Sequence, residues 1–283
     1  MKKILVAGLL IAFSFPAISQ LSLKVMTFNI RLNIPVDSLN GWQYRKDHLA
    51  SMVLFNGIHI LGVQEALNNQ RKDLLQRLPG FQCVGIGRDN NETCAEYNAI
   101  FYDTARLHLL HSETFWLSEN IHAVGKKGWD AAYPRIITWA RFRDRKTKKI
   151  IFVFNTHFDN EGKIARRESA HLLLKKVKEI AGNYPVMVTG DFNCYPADEP
   201  IKIITDKADS LHLTDTKEIS KAPHYGPEGT FNNFESKEIN DQPIDYIFIR
   251  NKVRVLQHAT LSQSWKGRFA SDHFPVFVKL LIE

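Results

Sequence analysis

The stretch Val186-Met187-Val188-Thr189-Gly190-Asp191-Phe192-Asn193 holds in miniature the pattern that runs through the whole chain. An apolar, β-branched run of strand length ends on a carboxylate, and an amide follows two positions later. Side chains two apart in extended backbone project to one side, so Asp191 and Asn193 are expected to face the same space. Outward from this stretch the pattern repeats: Lys24 to Phe28 runs into Asn29, Ile60 to Gln64 into Glu65, and Ile151 to Thr156 into His157. Two further runs carry the polar group at their start. Asp245 opens Ile244 to Ile249, and Asp272 and His273 directly precede Phe274 to Val278. In a mixed sheet, strand ends and strand starts share one edge, which would gather all these side chains in one cleft.

Apolar runs of strand length recur along the chain: Leu23 to Ile30, Ile58 to Val63, Phe81 to Gly87, Tyr97 to Tyr102, Ile136 to Phe142, Ile150 to Thr156, Val186 to Thr189, Ile244 to Ile249, Val253 to Leu261 and Phe274 to Ile282. Helical periodicity marks Arg45 to Phe55, Leu67 to Leu78 and Ile164 to Ala181. Arg141 to Ile150 reads as a hairpin around a charged turn, so the sheets are not purely parallel and a mixed, layered α/β architecture follows. No Gly-, Ser- or Pro-rich linker marks a boundary, and residues 20–283 read as one domain.

The residue types in the expected cleft suit phosphoester chemistry. Carboxylates and amides are the oxygen ligands of hard ions such as Mg²⁺ or Mn²⁺, with Glu65 the leading ligand and Asn29 beside it. His273, next to Asp272, has in Asp245 a carboxylate that would fix its tautomer and raise its basicity. Taken singly, each residue has a plainer reading, an Asn or Asp beside a strand as a turn former or cap and a lone His as scaffold. Their shared placement at strand boundaries is what calls for a common purpose.

Residues 1–19 read as a signal peptide. Lys2 and Lys3 precede an uncharged run from Ile4 to Phe15, and the small residues Ala17 and Ser19 set a cleavage site after Ser19. A secreted or periplasmic protein without a transmembrane anchor is expected, monomeric and with no stable protein partner. Without Lys2 and Lys3 the formal charge falls from +7 to +5, a modest excess that favours anionic substrates but not tight duplex binding. The basic run Arg141 to Lys149 reads as a solvated turn rather than a nucleic-acid groove. Three cysteines are too few for a disulfide framework, although export would permit Cys83 to pair with Cys94 across the turn at Arg88 to Thr93 and leave Cys194 free. No G-x-S-x-G occurs, which argues against a serine hydrolase.

Six blocks, Thr27 to Arg31, Gly62 to Glu65, Asn155 to Asp159, Gly190 to Asn193, Ile244 to Ile247 and Ser271 to Val276, resemble in order the signature blocks of the endonuclease/exonuclease/phosphatase superfamily. The resemblance spans Leu23 to Val278. It implies a four-layered α/β sandwich, two mixed β-sheets packed face to face with helices outside, and metal-dependent cleavage of a phosphoester. By the same resemblance Glu65 binds the metal with Asn29 and Asp272 nearby, and His273 is the essential histidine with Asp245 as its partner. Asp191 and Asn193 act around the scissile phosphate, and His157 contacts it. Phe115 to Leu117 and Gly128 to Arg135 resemble a bacterial branch of the superfamily. Arg135 reads either as a phosphate contact or as a structural arginine. Trp129 and Phe231 read as stacking platforms for a base or sugar, or as packing aromatics. The substrates expected from relatives are nucleic acid, a nucleotide or a phosphorylated head group of the inositol phosphate or sphingomyelin type, with Phe115 to Leu117 as a candidate lipid contact. The alternative from another class is a non-catalytic binding or toxin-like module on the same fold.

Overall fold

A computed structural model of the chain describes residues 21–89, 94–235 and 242–283, so the expected signal peptide lies outside the described residues. In chain order the strands are β1 (Leu21–Asn29), β2 (Ile60–Gln64), β3 (Phe81–Val84), β4 (Ile100–Asp103), β5 (Leu107–Trp116), β6 (Ile136–Asp144), β7 (Ile150–His157), β8 (Val186–Asp191), β9 (Thr214–Asp215), β10 (Asp245–Arg250), β11 (Val253–Thr260), β12 (Ser264–Trp265), β13 (Arg268–Phe269) and β14 (Val276–Ile282). The helices are α1 (Trp42–Phe55), α2 (Asn68–Arg77), α3 (Lys163–Ala181) and α4 (Glu199–Thr205), with a 3₁₀ segment at Pro35–Asn40.

Two six-stranded sheets form, in the orders β11-β14-β1-β2-β4-β3 and β5-β6-β7-β8-β10-β9. Each contains one parallel pair, β1 with β2 and β7 with β8, among antiparallel neighbours, as the mixed sheets expected from the sequence require. The continuous apolar runs are explained by burial on both faces. In β7, Ile151 and Val153 enter the core between the sheets, while Phe152 and Phe154 pack outward under α3. In β10, Ile247 and Ile249 face inward and Tyr246 and Phe248 outward. On the far side Met26, Phe28, Leu61 and Val63 pack against Leu49 and Val53 of α1 and Leu74 of α2. The result is the four-layered sandwich, helices, sheet, sheet, helices.

The inter-sheet core is apolar except at one end. There Asn155 of β7 donates from Nδ2 to the carbonyls of Val63 (2.8 Å) and Ala99 (3.0 Å) in the opposite sheet. Its Oδ1 accepts from Gln64 Nε2 (2.7 Å) and from Thr189 Oγ1 (3.0 Å). Gln64 Nε2 also donates to Thr27 Oγ1 at 3.0 Å. All four side chains are fully buried, so Asn155 meets its whole hydrogen-bonding capacity inside the protein. Gly62 lets the sheets come this close, because a Cβ there would collide with Thr189 Oγ1 and lie 2.7 Å from Asn155 Oδ1.

Several expectations change. β5 was not expected. It is an edge strand buried only at its ends, Leu107 and Phe115–Trp116, while its middle runs between half-buried and exposed residues, which leaves no clear apolar face. α4 is seven residues long, about two turns, with Pro200 at its start, too short for periodicity to show. Phe115 and Leu117 are 6% and 2% exposed, so this segment is core rather than a lipid contact. Cys83 accepts a hydrogen bond from Arg71 and is a thiol, not half of a disulfide with Cys94. Among the described residues no helix is long and apolar enough to cross a membrane.

Replacing Asn155 with Leu takes a donor from the carbonyls of Val63 and Ala99 and an acceptor from the Gln64 amide in a dry interior, with Ala99 keeping the Val63 N–H and Gln64 keeping Thr27. A loss of about 3 kcal/mol or more in urea unfolding is expected. Gly62→Ala is expected to lose about 1–3 kcal/mol by overpacking. Wild-type stability in either variant would contradict this account of how the sheets are joined.

Candidate active site

The topology brings the strand boundaries together as the sequence pattern required. β1 and β2 run parallel with Asn29 opposite Gln64, and β7 and β8 run parallel with His157 opposite Asp191. β10 is antiparallel to β8, which puts its first residue, Asp245, opposite Asp191. β14 is antiparallel to β1 with Val276 opposite Thr27, so Asp272 and His273 emerge just beyond Asn29. A cleft of about 590 Å³ opens there and is lined by Glu65, His157, Asp191, Asn193, Asp272 and His273 among others.

Local backbone aims these groups. Glu65 has a φ of 60° and Asn193 a φ of 48°, left-handed conformations that cost about 1–3 kcal/mol each and turn both side chains into the cleft at the strand ends. Asn29 sits at the centre, its Nδ2 donating to Glu65 Oε1 (3.0 Å) and to Asp191 Oδ2 (2.9 Å). Its Oδ1 accepts from the Arg31 amide at 3.0 Å, and the Leu32 amide donates to Glu65 Oε2 at 3.2 Å. Ser271 Oγ bridges the Asn29 carbonyl (2.7 Å) and Asp272 Oδ1 (3.1 Å). Asn193 donates its amide N–H to Asp191 Oδ1 at 2.9 Å, and its Nδ2 lies 3.0 Å from His157 Nε2. Thr230 ties two strands together: its Oγ1 accepts from the amide of Asp245 (3.1 Å) and its carbonyl from the amide of Phe274 (2.6 Å).

The two histidines are driven apart in charge. Burial lowers both, but His273 Nδ1 lies 2.8 Å from Asp245 Oδ2 and its Nε2 lies 3.8 Å from Asp191 Oδ2. These carboxylates, with Asp272, raise its pKa to about 10. His157 is held well below the ordinary histidine range by burial and then by Arg135 and Arg88, and stays neutral. Burial and the charge of Asp245 push Asp191 up to about 7. Asp272 is raised by burial and by Glu65.

Glu65, Asp191 and Asp272 therefore share one cleft, Asp245 is held by His273, and Arg31 Nε lies 3.7 Å from Asp272 Oδ2. The donor set is hard oxygen, and burial, with repulsion from Asp245 and Glu65 added to it, keeps Asp191 and Asp272 raised; a divalent cation fits both facts. Two sets of residues could hold one. Glu65 and Asp272, with Asn29 beside them, form the set expected from the sequence. One ligand atom each of Asp191, Asp245 and His273 also lie within 4.8 Å of one another.

The weaker expectations divide. Phe231 lines the cleft, 38% exposed, with its ring edge-on to His273 at 5.1 Å. Arg135 combines both of its readings: it lines the cleft, yet it is buried, paired with Asp159 (3.2 Å) and donating to Asn160 Oδ1 (2.8 Å). Trp129 does not line the cleft. Its amide is held by Glu119 and its ring packs on the core beneath the second sheet, where an indole gains more from burial than from exposure. Arg88, Glu96 and Asn160 line the cleft without having been singled out from the sequence, and Tyr133, inside the block Gly128 to Arg135 but given no role there, lines it too. Asn160 directly follows the block Asn155 to Asp159 and was within reach of motif reasoning. Arg88 and Glu96 are neighbours through backbone pairing, the Arg88 N–H on the Glu96 carbonyl at 2.9 Å, which spacing does not encode.

Comparison with known proteins identifies the family. The profile of the Endonuclease/Exonuclease/phosphatase family matches residues 26–273. A solved endonuclease/exonuclease/phosphatase from Bacteroides vulgatus is 40% identical, with a TM-score of 0.88 over 93% of this chain and 100% of that one. The Bacteroides thetaiotaomicron mannosyl-6-phosphatase Bt3783 is 36% identical, with a TM-score of 0.85 over 91% of this chain and 99% of that one. Protein angel of Drosophila melanogaster is 25% identical over 213 residues, 68% of this chain and 58% of its own length. The chain spans about half the length of the curated relatives it matches. By fold and sequence, the chain belongs to the endonuclease/exonuclease/phosphatase family, a family of phosphoester hydrolases.

Proposed function

We propose that this chain is a divalent-metal-dependent phosphatase that hydrolyses monoesters of small, hydrophilic molecules outside the cytoplasm. The observation that carries this reading is the division of labour among the clustered acids. Asp245 is committed to His273 at 2.8 Å and keeps that ring cationic, which makes it a poor metal ligand and a good hydrogen-bond donor. Glu65 and Asp272, with Asn29 beside them, are then the residues that would hold Mg²⁺ or Mn²⁺. When bound, the ion supplies charge neutralisation for the phosphoryl oxygens.

The remaining roles follow from geometry. Asp191, oriented by the amides of Asn29 and Asn193 and held near neutrality, accepts the proton of the attacking water. His273 donates from Nε2 to the phosphoryl group, and neutral His157 with Asn193 positions it. A cleft of about 590 Å³ suits one sugar- or nucleotide-sized ligand. Its guanidiniums at Arg88 and Arg135 are already paired with Glu96 and Asp159, which argues against a polyanion such as duplex DNA. The 36% identity to a mannosyl-6-phosphatase supports a monoester. The basic start and apolar run of residues 2–19 support export.

The chain purified from residue 20 is expected to release phosphate from p-nitrophenyl phosphate faster than it cleaves bis-p-nitrophenyl phosphate. Chelation should abolish the activity, and Mg²⁺ or Mn²⁺ should restore it. His273→Ala is expected to lower kcat by about 10²–10⁴-fold. Asp245→Asn, which keeps the ring in place but removes the charge that holds it cationic, should lose less. Turnover that persists in chelator, or in His273→Ala, would refute the proposal.

A further inference from the structure

Part of the cleft wall takes no part in the chemistry above. Arg88, Glu96, Tyr133, Arg135 and Asn160 line the same cavity as Glu65 and His273. Arg88 clasps Glu96 through two contacts, Nη2 to Oε1 at 2.6 Å and Nη1 to Oε2 at 2.9 Å. Arg135 is paired with Asp159 through one contact, Nε to Oδ2 at 3.2 Å, and spends an N–H on Asn160 Oδ1, which leaves the Asn160 amide nitrogen as the donor. The two guanidinium carbons lie 5.0 and 5.5 Å from the centre of the Tyr133 ring. Tyr133 itself is 45% exposed.

The charge balance of this wall selects a class of ligand. Each guanidinium has its own carboxylate, so the wall adds no net positive charge, and a second phosphate would have to break a buried ion pair to bind. What it offers is a mixture of donors and acceptors in planar groups. Arg88 Nε is buried and has no hydrogen-bond partner, Asn160 has an amide, and Glu96 has carboxylate lone pairs. A hydroxyl is the group that both donates and accepts, and adjacent hydroxyls match the spacing of a carboxylate beside a guanidinium. The Tyr133 ring adds a flat surface for the C–H face of a pyranose.

We propose that this wall binds the sugar ring of a hexose phosphate and sets the enzyme's preference for it. Glu96 accepts from the sugar hydroxyls, Arg88 and Asn160 donate to them, and the ring rests on Tyr133. This inference rests on the monoesterase reading of the same cleft.

The test compares kcat/KM of the full chain, with Mg²⁺, on mannose 6-phosphate and on n-hexyl phosphate, an ester with the same phosphate and no hydroxyls. The wild type is expected to favour the sugar by about tenfold or more, and Glu96→Gln and Asn160→Ala should each lower that ratio by roughly tenfold, the loss of one hydrogen-bonded hydroxyl. The loss should appear mainly in KM for the sugar phosphate. Asn160 is exposed, so its truncation leaves the core intact even if Glu96→Gln disturbs the turn. A wild-type ratio near one, or a ratio unaltered in both variants, overturns the sugar subsite while leaving the monoesterase reading in place. Release of phosphate from neither ester by the wild type would overturn the monoesterase reading itself.

Discussion

The buried amide of Asn155 is the interaction on which the rest of the molecule depends. Two sheets that met only through Leu, Ile and Val could slide against each other, because apolar contact is not directional. Asn155 fixes their relative position, since its four hydrogen bonds to Val63, Ala99, Gln64 and Thr189 form in one alignment only. The network also lies directly beneath the site. Gln64 is followed by Glu65, Asn155 is two residues before His157, and Thr189 is two residues before Asp191. The residues that join the sheets thus set the distances between the groups that do the chemistry.

That alignment makes the electrostatics of the cleft workable. Carboxylates forced together are costly, and the protein offsets the cost with fixed donors: the Asn29 amide between Glu65 and Asp191, the Asn193 N–H on Asp191, the Ser271 hydroxyl on Asp272 and the His273 ring on Asp245. The charge that remains unbalanced is what a dication would supply. Preorganised charge of this kind contributes to rate without reorganisation at the moment of reaction. The paired arginines of the sugar-facing wall work in the opposite direction, presenting polar groups with no net field.

Much of this was legible in the sequence, and the reason is geometric. A sheet edge collects strand ends and starts, so a polar residue at the boundary of an apolar run carries positional information, and Asn29, Glu65, His157, Asp191, Asn193, Asp245, Asp272 and His273 all met as that rule required. Both-face burial made β7, β8 and β10 readable as apolar runs, whereas β5, whose middle mixes half-buried with exposed residues, left no pattern to read. The Arg88–Glu96 pair was beyond reach because it forms through tertiary packing, and Tyr133, though inside the block Gly128 to Arg135, carried no sign of which way its ring would face. Trp129 failed as a ligand platform because residue type gives the capacity to stack, not the direction in which a loop turns the ring.

The central claim is that Glu65 and Asp272 hold the metal while Asp245 keeps His273 for the phosphoryl group. The most direct test is anomalous diffraction at the manganese edge from crystals grown with Mn²⁺. The account predicts an ion bound by Glu65 and Asp272, with the His273–Asp245 hydrogen bond intact. An ion ligated instead by Asp191, Asp245 and His273, with Glu65 bare, would contradict it.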